Sequence, residues 1–292
     1  MHPVLETRDL TIRFGGHVAV NAVSCRFDAG TLTAIVGPNG AGKTTYFNLI
    51  SGQLPASAGQ VLLFGEDVTR AAVPVRTRKG MGRAFQLTNL FPSLTVLENV
   101  RLAVQARAAG RHLRGLNLWS VWSGHAELTD QAEHFLSRVA LLERRGTLAS
   151  ELPHGDQRKL EVAILLALEP EVFMFDEPTA GMSVDEVPVI LELIHEIKAQ
   201  KDKAILLVEH KMDVVRSLAD RIIVLHQGAL VADGAPAEVI ASPVVQEAYL
   251  GVSPAGLSGV SRGNRPADAR GRAYPHRAVS HPSRSGFFNK KK

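Results

Sequence analysis

The chain has 292 residues, 45% hydrophobic and 21% charged, the proportions of a globular protein with room for one large or two small domains. Its formal charge of +4 misleads until it is divided: residues 252–292 hold nine Lys/Arg against Asp268 alone, so of 33 bases and 29 acids only 24 and 28 fall in residues 1–251. An acidic folded part lacks the basic face that nucleic-acid binding needs, so no nucleic-acid partner is expected. The lone Cys25 excludes an intrachain disulfide framework and suits a reducing compartment. The longest apolar runs, such as Ala163 to Leu168, are too short to span a bilayer, and Met1 to Glu6 lacks the pattern of a signal peptide.

Taken in order, residues 4–28 alternate apolar and polar positions around Gly15-Gly16, which predicts short strands of a mostly antiparallel layer. Phe14 precedes that turn; its ring suits either core packing or stacking on a base. An apolar run from Leu32 to Val36 then meets Gly37-Pro38-Asn39-Gly40-Ala41-Gly42-Lys43-Thr44-Thr45, and a helix-compatible segment, Thr44 to Leu49, follows at once. Gly37, Gly42, Lys43 and Thr44 fill G-x-x-x-x-G-K-[ST]. Glycines let the backbone curl so that successive N–H groups point at a polyphosphate, and the helix N-terminus adds partial positive charge. Lys43 is expected to bridge the β- and γ-phosphates and the Thr44 hydroxyl to ligate Mg²⁺. This stretch predicts a nucleotide site.

Pro55 to Gly65 reads as a turn and a strand over Gln60–Phe64, and Arg83-Ala84-Phe85-Gln86 as a short strand ending on a lone glutamine. Helical periodicity runs from Leu94 to Ala109 and from Thr129 to Leu142, separated by a loop at Gly110–Gly124 that is basic and then aromatic. The block from about Leu87 to about Leu168 therefore reads as an α-helical subdomain inserted into a β/α chain. Near its end, Leu152-Pro153-His154-Gly155-Asp156-Gln157 opens another helix, with Gly155 permitting close backbone approach and Asp156 placed to cap the helix.

Two continuous apolar runs follow. Val172 to Phe175 stops at Asp176-Glu177-Pro178, and Ala204 to Val208 stops at Glu209-His210. Such runs suit strands buried on both faces of a parallel sheet, and a helix from Val184 to Ala199 separates them. Three strands thus end on chemistry, and open α/β sheets bind ligands beyond the carboxyl ends of their strands. Residues 213–251 predict a helix, a strand over Arg221–Leu225, a turn at Gly228 and a final helix. Beyond Gly251 the Ser/Gly/Pro/Arg composition cannot bury enough surface to fold, so residues 252–292 are expected to be a basic disordered tail.

The ordered set of motifs in residues 4–251 resembles the ATP-binding-cassette (ABC) ATPases. The resemblance implies a P-loop α/β fold: a mixed sheet core with an N-terminal antiparallel β layer and an inserted helical subdomain. It implies ATP and Mg²⁺ as cofactors. Phe14 would be the adenine-stacking aromatic, and Gln86 the glutamine touching Mg²⁺ and the attacking water. Leu152 to Gln157 would be the signature acting in trans, Asp176 the magnesium carboxylate, Glu177 the general base, Ala180 to Ser183 the D-loop, and His210 the γ-phosphate sensor. Two positions depart from the usual L-S-G-G-Q: Pro153 lacks the serine hydroxyl, and Asp156 replaces glutamine and adds negative charge.

The resemblance also implies partners: a second ABC ATPase subunit, identical or homologous, in a head-to-tail dimer, two transmembrane permease subunits, and indirectly a periplasmic or extracellular solute-binding protein. The expected place is peripheral, on the cytoplasmic face of the membrane. Phe85 to Pro92, Pro178 to Met182 and Ser242 to Gly251 are similar to importers of branched-chain and other hydrophobic amino acids. Parts also look like urea-uptake ATPases, and lipopolysaccharide-export ATPases are close relatives of the branch. A soluble cassette protein acting on ribosomes or DNA is the reading from another class; such proteins usually carry two cassettes or a long coiled-coil insertion, and this chain has neither.

Overall fold

The computed structural model describes residues 3–84, 90–111, 126–243, 245 and 246, with backbone alone at 109–111. All the elements lie in the unit Met1–Pro254. The expected boundary at 251/252 and the basic tail, together with Gln86 and residues 112–124 of the expected loop at Gly110–Gly124, lie outside the described residues; Gly110 and Arg111, expected in that loop, are helical instead.

A hairpin opens the chain: β1 (Leu5–Phe14) and β2 (His17–Phe27) pair antiparallel about the Gly15-Gly16 turn. After β3 (Leu32–Val36) and α1 (Lys43–Ser51), β4 (Ala58–Leu63) and the two-residue β5 (Glu66–Asp67) complete a four-stranded sheet in the order β2-β1-β4-β5. This is the expected antiparallel layer. The strand read over Gln60–Phe64 stops at Leu63, because Phe64 takes a left-handed φ of 52° in the turn that follows.

The second sheet has six strands. In chain order come α2 (Val73–Arg78), β6 (Met81–Ala84), α3 (Val96–Arg111), α4 (Ala126–Arg138), α5 (His154–Leu168), β7 (Val172–Asp176), α6 (Val187–Ala199), β8 (Ala204–Val208), α7 (Met212–Leu218), β9 (Arg221–His226), β10 (Ala229–Gly234) and α8 (Pro236–Ala241). The sheet order is β10-β9-β3-β8-β7-β6, parallel throughout except for β10, which pairs antiparallel with β9. The segment after Gly228 is therefore a strand before it is a helix, a correction to the sequence reading. β10 is half-buried with no clean alternation, so periodicity gave it no signature.

β7 shows why its sequence is apolar without alternation. Phe173 and Phe175 face a core shared with α3, α4, α5 and α6, while Val172 and Met174 face the core shared with α1 and the antiparallel sheet. Successive side chains of a strand point to opposite faces, so two cores demand apolar residues at every position. Each such fully buried side chain contributes roughly 1.5–3 kcal/mol.

No local pattern announces α2. It is held by Arg76, which is 2% exposed and donates to the carbonyls of Ala71, Thr69, Leu49 and Ile50. Leu49 and Ile50 belong to the last turn of α1, whose carbonyls form the negative end of that helix; Leu49 O also accepts from the Gly52 N–H at 3.3 Å. Burial lowers the Arg76 pKa to about 10.

Candidate functional site

β9, β3, β8 and β7 lie side by side and end on one rim. Ile35 and Asp176 both pair with Val208, so the residues that follow β3, β7 and β8 emerge together although the sequence separates them widely. The sequence had pointed to all three strand ends.

The loop after β3 encloses a cleft of about 290 Å³ lined by His17, Ala19, Asn39 to Thr45 and Glu177. Gly37 makes its curl possible. With φ at 154°, a Cβ at this position would sit 2.2 Å from the Leu225 carbonyl oxygen of β9. The loop also rests on the β9–β10 turn, where Gly228 N–H donates to Ala41 O at 3.0 Å, and Asn21 N–H of β2 donates to Gly228 O at 2.8 Å. Gly42 is the N-cap of α1 and offers no side-chain acceptor. The backbone donors of the first turn are thus left for an anion, and that turn lines the cleft.

Lys43 is 9% exposed, and its Nζ donates to Gly37 O at 2.6 Å and Pro38 O at 3.0 Å. Burial lowers its pKa, while Glu177 and Asp176 work in the other direction. Asp176, at the end of β7, has one oxygen bonded: Arg83 Nη2 donates to Oδ2 at 2.7 Å. Its Oδ1 is buried with no hydrogen-bond partner among the described residues. Burial raises the Asp176 pKa, and Arg83 opposes that rise. The orphaned Asp176 oxygen and the Thr44 hydroxyl, which lines the cleft, are both oxygen donors, the ligand type that fits Mg²⁺.

Glu177 adopts φ 49°, a left-handed conformation sparsely populated by residues with a side chain, and its N–H donates to Val208 O at 2.9 Å. Such conformations cluster at functional sites. The His210 ring reaches the same place, with Nδ1 3.7 Å from Glu177 Oε1. Behind His210, the Glu209 carboxylate, 1% exposed, accepts from the N–H groups of His210 and Lys211 and from the Thr179 hydroxyl at 2.8 Å. It ties the segment after β7 to the segment after β8.

The structure does not bring every expected residue to the cleft. Phe14 is half exposed at the hairpin tip, and from that hairpin His17 and Ala19 line the cleft instead. The signature residues stand at the start of α5 and line no part of it. Asp156 is not the cap of that helix. Pro153 occupies the cap position with ψ 155° and makes no side-chain cap bond, while Asp156 sits in the first turn bonded to Lys159 at 2.9 Å. Proline suits this boundary because it donates no N–H.

Lys159 also bonds Glu186 Oε1 at 2.9 Å, and Arg144 lies 3.3 Å from the other Asp156 oxygen. Glu186 Oε2 in turn accepts from the N–H and hydroxyl of Ser183 in the D-loop segment. The Lys159 bond, helped by Ser183, lowers the Glu186 pKa to about 2. A Cβ at Gly155 would lie 2.5 Å from Glu186 Oε2, so the close approach expected at this glycine is made to the Glu186 carboxylate.

Sequence reasoning missed Arg83, Lys159 and Glu186, and named Glu209 as part of a strand-end pair without giving it a role. The one available signal was a charged residue inside an otherwise buried strand, since arginine is seldom buried without a partner. Among the described residues there is no cluster of three or more His, Cys, Asp or Glu able to hold a metal alone, and no helix long and apolar enough to cross a membrane.

Comparison with known proteins gives matches over most of the chain. The family model described as "ABC transporter" matches residues 20–180, and that described as "Branched-chain amino acid ATP-binding cassette transporter" matches residues 229–255. The high-affinity branched-chain amino acid transport ATP-binding protein BraF of Pseudomonas aeruginosa is 37% identical over 250 residues, covering 85% of this chain and 98% of BraF. LivG of Escherichia coli, with the same description, is 38% identical over the same shares. The crystal structure of an ATP-binding cassette of an ABC transporter in its ADP conformation superposes with a TM-score of 0.71 at 27% identity, covering 86% of this chain and all of that one.

Proposed function

Because this chain belongs to the ABC transporter family of ATP-binding, ATP-hydrolysing subunits, we propose that it powers uptake of branched-chain amino acids through separate permease subunits. The observation that carries the reading is the meeting of the phosphate loop, Glu177 and His210 at one rim. The similarity of residues 229–255 to the branched-chain amino acid family supports the solute class.

In this reading the loop from Gly37 to Thr45 and the first turn of α1 hold the phosphates, and Lys43 turns from its loop carbonyls to the β- and γ-phosphate oxygens. Phe14 stacks on the adenine. Thr44, Asp176 and Gln86 hold Mg²⁺, which neutralises charge developing on the phosphate oxygens. Glu177 orients the attacking water and draws its proton, while His210 hydrogen-bonds the γ-phosphate. Glu209 keeps His210 and the Thr179 segment in one register. Because Leu152 to Gln157 line no part of this chain's own cleft, they serve the cleft of a second subunit in a head-to-tail dimer. Pro153 removes the serine donor, and Gly155 retains backbone donation. Lys159 and Arg144 balance the charge of Asp156, so the departure from glutamine need not repel a phosphate. The dimer sits peripherally on the cytoplasmic face of the membrane beneath two permease subunits, which receive solute from an external binding protein.

The test is affinity capture of the chain with its membrane partners, followed by reconstitution. Capture of a multispanning permease, and ATP-dependent uptake of leucine, isoleucine or valine, are the expected results. Recovery of ribosomes or DNA in place of a permease refutes the transport reading, and uptake of urea without these amino acids refutes the solute.

A further inference from the structure

Arg83 occupies the penultimate position of β6, where Met81, two residues earlier on the same face, packs in the core with Tyr46 and Phe47 of α1. Its side chain is 5% exposed. One arm of the guanidinium, Nη1, donates to Asn48 Oδ1 at 2.7 Å and Ser51 Oγ at 2.8 Å, both on α1, and its carbon lies 5.0 Å from the centre of the Phe47 ring. The other arm, Nη2, donates to Asp176 Oδ2 at 2.7 Å. The fork joins two elements: Asp176 lies 93 residues after Arg83 in the chain and Asn48 lies 35 before it.

A purely structural ion pair would be expected to satisfy both carboxylate oxygens, because a buried acceptor without a partner is destabilising. Here only Oδ2 is bonded, and the buried Oδ1 has no hydrogen-bond partner among the described residues. The side of the carboxylate that faces Arg83 is fixed, and the other is left for a cation. The same α1 that begins with Lys43 and Thr44 carries Asn48 and Ser51 in its later turns. Through Arg83, one rigid helix therefore sets both the Thr44 hydroxyl and the Asp176 carboxylate.

We propose that Arg83 is a positioning residue for the magnesium of bound ATP: it clamps one oxygen of Asp176 so that the other is presented, with Thr44, in a fixed geometry. This rests on the reading of Asp176 and Thr44 as metal ligands. A lysine cannot replace it fully, since a single ammonium lacks the planar fork that reaches α1 and Asp176 together.

The test measures ATP affinity of the full chain by calorimetry, once in EDTA and once with excess Mg²⁺; the ratio is the magnesium gain. Arg83→Met retains the stem over Phe47 and is expected to keep the wild-type affinity in EDTA. Its magnesium gain falls about tenfold or more, the effect of removing a group that orients a metal ligand. Arg83→Lys recovers part of the gain. A full gain in Arg83→Met overturns the proposal, as does an equal loss in EDTA and in Mg²⁺, which marks a structural role. If Arg83→Met does not fold, Arg83→Lys decides: an undiminished gain overturns, and a reduced gain with intact EDTA affinity supports. A wild-type chain that shows no magnesium gain refutes the reading of Asp176 and Thr44 itself, an outcome distinct from any of these.

Discussion

Lys159→Met removes a cation shared by the signature segment and the D-loop segment while leaving an apolar stem in place. In the native chain Lys159 makes two bonds of 2.9 Å to carboxylates, Asp156 and Glu186. Bonds to charged groups contribute roughly 1.5–3 kcal/mol each when shielded from water. The full sum is not expected, because Arg144 still faces Asp156 and Ser183 still serves Glu186, whose side chain is 26% exposed and partly screened. A net loss of about 2 kcal/mol follows, or about 4–8 °C in Tm for a chain of this size. Thermal unfolding of Lys159→Met, Glu186→Gln and the double variant measures it, with a coupling of about 1 kcal/mol expected between neighbours that share a bond. The pH dependence gives an independent check. Lys159 and Ser183 hold the Glu186 carboxyl down to about 2, from an ordinary 4.5. A depressed carboxyl contributes stability that is complete above its unfolded pKa and is lost as pH falls through its folded pKa. The gap in Tm between wild type and Glu186→Gln should therefore be full at pH 7, narrow below 4.5 and close near 2. A loss under about 0.5 kcal/mol with no coupling, the size of an ordinary surface substitution, refutes the reasoning. A gap that ignores pH refutes it equally.

Glu177→Gln is expected to lower the ATPase rate about 10²–10⁴-fold while ATP is still retained; phosphate release at the wild-type rate removes Glu177 as the base. Gly37→Ala would drive a Cβ to 2.2 Å from the Leu225 carbonyl and displace the loop. A displacement of about 1 Å in a reacting site lowers turnover on the order of a hundredfold, so wild-type hydrolysis by this variant contradicts the loop geometry. Thr179→Val withdraws the only described donor to Glu209 Oε1 and should destabilise by about 1–3 kcal/mol in urea unfolding, with Thr179→Ser close to wild type. Equal stability of the Val and Ser variants shows that the hydroxyl is not needed.

The phosphate loop, the two carboxylate-bearing strand ends and the helical insertion were legible because their signals are local: a fixed spacing, an apolar run that stops on charge, a helical period. What escaped is what depends on partners distant in the chain. Arg83 gains its meaning from Asp176, Asn48 and Ser51, and nothing near it in sequence names them. α2 contains Pro74 and three β-branched residues, a poor helix by propensity; it forms because Arg76 finds the carbonyl end of α1. Asp156 looked like a cap because aspartate at a helix start usually is one. In the fold the extended backbone of Pro153 sets the start three residues earlier, and Lys159 takes the carboxylate. The left-handed backbone of Glu177 has no sequence signal, since nothing but the turn it sits in requires it.

The floor beneath the phosphate loop has a consequence for biosynthesis. Gly228 and Leu225, which buttress Ala41 and Gly37, are added to the growing chain long after the loop itself. At roughly 5–20 residues per second, the glycine-rich segment waits on the order of 10–40 s at the ribosome before its support is made. A nascent chain stalled before β9 would leave the tunnel with the motif complete and nothing beneath it to hold its shape, so capture of ATP should begin only once the β9–β10 turn has emerged.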